Sequence, residues 1–150
     1  MRVLVQRVKE ASVIINGEAC SAVGPGLLVF AGIEEADNAD DATWLAAKII
    51  NLRVFDDSDG VMNLSAVEAC KEIMIVSQFT LHASTKKGNR PSYIRAARPE
   101  HAIPLYEAFI TRVEELLGRR VSTGVFGAMM EVHLINDGPV TILIDSRNRE

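Results

Sequence analysis

The chain has 150 residues, 48% hydrophobic and 24% charged, which suits one soluble domain with a substantial core. Aromatic residues are only 5%, so the core must be built from Val, Ile, Leu, Ala and Met, and the net charge of −4 argues against nucleic-acid binding over the whole surface while permitting a local basic patch. The opening run Met1 to Val8 is too short and too interrupted by charge for a signal peptide, and no apolar run approaches a membrane span, so no membrane association is expected and the cytoplasm is the expected compartment.

Val3, Val5 and Val8 open a β-branched segment that continues through Ala11 to Ile15. Asn16-Gly17 is a strong hairpin turn, both residues tolerating positive φ, and Ala19 to Val23 is the returning strand. After Gly24-Pro25-Gly26 a third strand runs from Leu27 to Ile33, continuous in its apolar residues and therefore covered on both faces. Cys20 and Cys70 form no C-x-x-C or Cys-His cluster, so neither a disulfide framework nor a metal site is indicated; buried free thiols are expected.

Ala42, Leu45, Ile49 and Leu52 lie at helical spacing behind the acidic stretch Glu34 to Asp41, with Asp37 or Asn38 as N-cap. Solvated capping charge explains the stretch better than a paired-carboxylate site. Asp56 to Gly60 resembles the start of a calcium loop but lacks the later glutamate at the required offset, so it reads as a turn between strands Leu52–Phe55 and Val61–Leu64. The next strand, Ile73 to Leu81, begins apolar and ends polar. Its end either lines a pocket or simply emerges at the surface. Strand parity puts Ser77 and Phe79 opposite Gln78 and Thr80, so all four can share one pocket only where the strand ends or bulges.

From His82 to Arg98 the chain carries Lys86, Lys87, Arg90, Arg95 and Arg98 and no carboxylate, a candidate phosphate-contacting loop or else a solvated basic one. Ile103, Tyr106, Ile110, Val113 and Leu117 then form a helical stripe ended by Gly118, with Pro104 expected in the first turn. Met130, Val132 and Leu134 alternate with Met129, Glu131 and His133 as a half-buried strand, and Val140 to Ile144 is another. Between them Asn136-Asp137-Gly138-Pro139 is either a tight hairpin turn or a turn presenting its backbone to a ligand. Two helices and about eight strands make one mixed α/β domain over residues 1–150.

No catalytic triad assembles from His82, His101 and His133, and no phosphate-binding glycine motif is present. Gly24-Pro25-Gly26 cannot serve as a dinucleotide loop, because proline removes an amide the phosphates would use. No cofactor is expected.

Ser77-Gln78-Phe79-Thr80-Leu81 and Asn136-Asp137-Gly138-Pro139-Val140-Thr141 together resemble the two signature motifs of the D-aminoacyl-tRNA deacylase family. The resemblance extends over Met1 to Arg7, Lys87 to Ser92 and Gly124 to Met130. It implies a single-domain α+β homodimer, with mostly antiparallel or mixed barrel-like sheets and two main helices. It also implies that aminoacyl-tRNA is the partner and that the ester to a D-amino acid, or to glycine mischarged on tRNA(Ala), is hydrolysed. On that resemblance Gly138 and Pro139, joined by a cis bond, form a chiral filter reaching into the partner's pocket, and Arg7 supports it. Ser77, Gln78, Phe79 and Thr80 line the pocket, while Phe126, Gly127 and Met130 hold the adenosine. Thr80 is the family's candidate nucleophile, but no base stands near it in sequence. Main-chain amides around Phe79 and Thr80 are therefore expected to stabilise an oxyanion while water or the 2′-hydroxyl attacks, and Lys86, Lys87 and Arg90 are expected at tRNA phosphates. The competing expectation is a non-enzymatic RNA- or metabolite-binding dimer.

Overall fold

A computed structural model describes residues 1–149. The frame is β1 (Arg2–Ile15), whose β-branched run spans the whole barrel wall. Along one edge it pairs antiparallel with β3 (Gly26–Gly32) over its first half and with β2 (Glu18–Val23) over its second. The β1–β2 turn uses Asn16 and Gly17 at φ 53° and 81°, as its sequence predicts.

Beyond β3, the strand β6 (Glu72–Ser77) and the short β7 (Ser122–Thr123) add in parallel, and β4 (Phe55–Asp56) and β5 (Met62–Leu64) form a separate small hairpin. The Ser21 hydroxyl donates to the Thr123 carbonyl at 2.8 Å and that of Ser122 to the Ala22 carbonyl at 3.3 Å. These side-chain bonds bring β2 beside β7, so the mixed sheet is nearly closed without a main-chain ladder at the seam.

β3 faces two cores. Leu27, Val29 and Ala31 join Met1, Val3, Val5, Ile73 and Ile75 beneath α1 (Ala39–Ile50) and α2 (Pro99–Leu117), while Leu28 joins Val8, Val13, Met74 and Val76 inside the barrel. Its continuous apolar run is covered on both sides for that reason. No described helix is long and apolar enough to cross a membrane.

Several expectations are corrected. The segment Met130–Ile144 is not a hairpin: β8 (Glu131–Asp145) runs antiparallel to β1 on both sides of Gly138-Pro139. Cys20 and Cys70 are exposed, because β2 turns most of its residues outward and Cys70 lies in a turn at φ 51°. Pro104 sits in the second turn of α2, since Pro99 already starts the helix, and it is tolerated on an exposed face. The buried stripe of α2 runs through Ala102, Leu105, Tyr106, Phe109, Val113 and Leu117, leaving Ile103 exposed. Leu52 falls beyond the end of α1.

The acidic stretch caps α1 but is only partly solvated, with Glu35, Asn38 and Asp40 exposed. Asn38 accepts from the Asp40 amide at 2.8 Å and Asp41 accepts from the Asn38 amide at 3.0 Å, a reciprocal cap. Glu34, Asp37 and Asp41 are buried, with Arg95 against Glu34 at 2.7 Å and Arg147 against Asp37 at 3.2 Å.

Candidate active site

The apolar run of β6 stays in the core from Ile73 to Val76, and the strand ends at Ser77. A 3-10 turn follows at Phe79–His82 in place of the expected continuation of the strand. That turn can lie close because Gly32 faces it: a Cβ there would stand 2.8 Å from the Gln78 carbonyl oxygen and 3.0 Å from Leu81 Cβ. The Gln78 amide donates to the Ala31 carbonyl at 2.7 Å, and the Leu81 amide closes the turn onto Gln78 at 3.3 Å. The amides of Phe79 and Thr80 stand at the start of the turn, where a helical backbone supplies no acceptor, and among the described residues neither bonds a main-chain carbonyl outside it.

A cavity of about 430 Å³ opens beside this turn. Ala31, Ile33 and Val76 form its floor; Ser77, Gln78, Phe79 and Thr80 form one wall, and Phe126 to Met130 the other. The strand's end removes the parity conflict, since the backbone twist after Ser77 lets all four residues of the wall reach the same space. Gly124 permits the second wall to fold over, as a Cβ there would come within 2.5 Å of Met130 Sδ. Phe126 leans on the Tyr106 ring at 5.7 Å, and the buried Tyr106 hydroxyl donates to the Ile75 carbonyl at 3.0 Å.

The lining contains no ionisable side chain. Its polar groups are the Ser77, Gln78 and Thr80 side chains together with the amides. Thr80 Oγ1 accepts from Gln78 Nε2 at 2.5 Å. His82 lies buried behind the turn, where burial pushes its imidazole below the usual range against the opposing pull of the Gly32 main chain and Glu34. His101 contacts the Asp37 carbonyl at 3.0 Å and His133 lies 3.5 Å from Glu131, so neither serves the cavity. Among the described residues no cluster of three His, Cys, Asp or Glu could hold a metal ion.

The second feature is the projection in β8. Gln6 pairs with Thr141 and Val8 with Asn136, so Arg7 alone on β1 stands opposite residues 137–140. The Gly138–Pro139 bond is cis and Gly138 sits at φ 134°. Arg7, 8% exposed, donates from Nε to the Asp137 carbonyl at 3.1 Å and from Nη1 to the Val54 carbonyl at 2.6 Å. It also pairs with the carboxylates of Asp137 at 3.3 Å and Asp56 at 3.6 Å. Gly138 and Pro139 do not line the cavity of their own chain.

Lys86, Lys87 and Arg90 stand outside the cavity on an exposed loop closed by two main-chain bonds between Ser84 and Ser92, at 2.8 and 2.9 Å. Arg95 is tied to Glu34. Sequence reasoning missed Tyr106 as a prop for Phe126, and Arg2, which donates to the Leu81 carbonyl at 3.2 Å while paired with Asp145 at 2.7 Å. A tyrosine in a buried helical stripe needs an acceptor, which was a usable signal; Arg2 carried none.

The family model for D-Tyr-tRNA(Tyr) deacylase matches residues 4–145. The chain is 61% identical over 150 residues to a D-aminoacyl-tRNA deacylase of Parabacteroides distasonis, covering the full length of both. It is 61% identical over the same full length to one of Akkermansia muciniphila. Among solved structures it resembles the c-Myc DNA unwinding element binding protein, with TM-score 0.91 and 40% identity over 97% of this chain and 98% of that one.

Proposed function

The chain belongs to the D-Tyr-tRNA(Tyr) deacylase family, and from that premise we infer that it hydrolyses the ester joining a D-amino acid to the terminal adenosine of tRNA. The observation that carries the reading is a cavity with, among the described residues, two amides on one wall that bond no main-chain carbonyl outside their turn and no ionisable side chain in its lining. An aminoacyl ester is already activated and has a ribose hydroxyl beside it. Positioning and charge stabilisation can therefore carry much of the barrier without a side-chain base.

The ester carbonyl lies against the Phe79 and Thr80 amides, which receive the negative charge that develops on its oxygen. Water adds to the carbonyl carbon, its proton passing through the neighbouring 2′-hydroxyl to the ribose oxygen; the C–O bond to the ribose breaks, and the products are the free amino acid and tRNA. Direct attack by the 2′-hydroxyl would only shift the acyl group to that oxygen, where water must still release it. Thr80 is a poor nucleophile here. Its hydroxyl already accepts from Gln78, and nothing in the lining can take its proton. Ser77 and Gln78 complete the polar wall, while Phe126, Gly127 and Met130 hold the adenosine.

Selection for the D isomer is assigned to Gly138 and Pro139 of a second copy. Because these two residues stand apart from the cavity of their own chain, a homodimer in which each projection enters the partner's cavity is the economical arrangement. Backbone carbonyls there would grip the substrate amino group and leave no space for an L side chain. Glycine, with no side chain to be sensed, would pass the same filter, so glycine mischarged on tRNA(Ala) is also a substrate. Arg7 holds the projection in place, and Lys86, Lys87 and Arg90 meet tRNA phosphates. The compartment of this activity is the cytoplasm.

The test is release of amino acid from D-tyrosyl-tRNA and from its L counterpart. Rapid release from the D ester with the L ester spared is expected. Release from neither, with tRNA still bound, would favour the second reading, a non-enzymatic RNA- or metabolite-binding dimer; the name of the solved neighbour, a DNA unwinding element binding protein, is consistent with nucleic-acid binding. Sedimentation decides the assembly: an active monomer would remove the cross-subunit filter.

A further inference from the structure

At the lip of the cavity Phe79 and Tyr93 meet edge to face, with ring centroids 5.1 Å apart and planes at 72°. Phe79 is 55% exposed and Tyr93 40%, in a chain with few aromatic residues. Phe79 also lines the cavity, so the pair is continuous with it. Tyr93 directly follows the Ser84–Ser92 bridge, which closes the loop carrying Lys86, Lys87 and Arg90. Among the described residues none of these three cations pairs with a carboxylate, whereas Arg95 on the same segment is consumed by Glu34.

Exposed aromatic rings beside unpaired cations are the chemistry of single-stranded nucleic acid: the rings accept base faces and the cations accept phosphates. The cavity's volume of about 430 Å³ is near the lower end of ligand pockets, enough for one end of a substrate but not for a further nucleotide. A chain that enters the cavity by its terminal nucleoside must therefore lay its next nucleotide across the lip. We propose that Tyr93, supported by Phe79, is a stacking subsite for the base immediately 5′ of the terminal adenosine. Lys86, Lys87 and Arg90 take the phosphates of that same single-stranded end. The proposal rests on the deacylase reading of the cavity and adds to it a recognition element for RNA outside the reacting ester.

The experiment compares D-tyrosyl-tRNA with D-tyrosyl-adenosine, which carries the same ester and no further nucleotide. Stacking on an aromatic side chain predicts that Tyr93→Ala lowers kcat/KM on the tRNA ester by roughly 5- to 100-fold more than on the nucleoside ester. The extra loss appears in KM. Tyr93→Phe keeps the wild-type ratio between the two substrates, and Tyr93→Leu, which retains apolar area without a π face, does not. Equal loss on both substrates, or loss on neither, overturns the subsite. A change of oligomeric state in Tyr93→Ala by sedimentation would reassign the ring to a contact between copies and overturn it as well. Wild-type protein that releases D-tyrosine from neither substrate would instead sink the deacylase reading.

Discussion

Arg7 grips Asp137 twice, through its main-chain carbonyl at 3.1 Å and its carboxylate at 3.3 Å, from the one position on β1 that faces the projection of β8. The same guanidinium reaches the Val54 carbonyl at 2.6 Å, which fixes its own direction. A planar fork with several donors can hold carbonyls and a carboxylate together; a lysine ammonium on a flexible stem cannot. Arg7→Lys is therefore expected to keep the fold yet lower kcat/KM on D-tyrosyl-tRNA by about 10- to 100-fold, the cost of a misplaced positioning element. Arg7→Ala adds a stability loss of about 1–3 kcal/mol, modest because the carboxylates of Asp56 and Asp137 are exposed enough to rehydrate. Chemical denaturation and single-turnover kinetics read the two effects. Wild-type rates in Arg7→Lys would show that the projection needs no clamp.

Gly138→Ala tests the projection from within. The added Cβ would stand 2.9 Å from both the Val140 amide nitrogen and Val140 Cγ2, and 3.3 Å from Arg7 Nη2, at a φ of 134° that side chains avoid. The backbone must shift, at a local cost of about 1–3 kcal/mol. Because the segment protrudes from a strand paired on both sides, the rest of the fold is expected to stay intact. Circular dichroism should be unchanged while the ratio of D- to L-ester hydrolysis falls. An unaltered ratio would remove Gly138 from the filter.

The family resemblance anticipated this projection and its Arg7 support, whereas the local sequence pattern left it open. Asp137-Gly138 carries a hairpin signal, and locally the reading was sound. What decides the matter is a partner strand far away in the chain: β1 pairs with β8 on both sides, so the segment bulges instead of reversing. Asn16-Gly17 carries the same kind of signal and does make a hairpin, because its flanking strands are each other's partners. The parallel pairing of β3 with β6 was equally invisible, since no local turn sets its register. The cavity was more legible. A strand turning polar at Ser77 announced a change of environment, and parity required the strand to end; the 3-10 turn against Gly32 is that end. Exposure of Cys20 and burial of Glu34, Asp37 and Asp41 depended on tertiary partners and could not be read from local pattern.

Thr80→Ala separates a covalent route from attack by water or the ribose hydroxyl. Removing a true nucleophile typically costs several orders of magnitude in kcat. Losing a hydroxyl that only accepts from Gln78 Nε2 should cost less than about tenfold, the worth of one hydrogen bond that reorders a wall. Rapid quenching with excess enzyme measures the chemical step directly. A loss of a thousandfold or more, or a trapped acyl-enzyme on wild-type protein, would restore Thr80 as the attacking group.

Asp145 ties the end of β8 to the site through Arg2, which also donates to the Leu81 carbonyl at the turn bearing Phe79 and Thr80. Burial alone would raise this carboxyl. The hydrogen bond from Arg2, the amides of Arg147 and Asn148 and the Arg2 charge outweigh it and hold the group down at about 2. An unfolded aspartate titrates near about 3.9, so the folded state binds the proton less readily and the ion pair contributes fully above about pH 4. That contribution fades as pH falls towards 2. At neutral pH Asp145→Asn should lower stability by about 1–2 kcal/mol, reduced from the full linkage value by solvent screening of a partly buried pair. Thermal unfolding of both proteins from pH 7 downward checks the sign: the gap in Tm should be widest above pH 4 and close near pH 2. A gap that persists unchanged at pH 2 would assign the effect of the substitution to packing rather than to the carboxylate's charge.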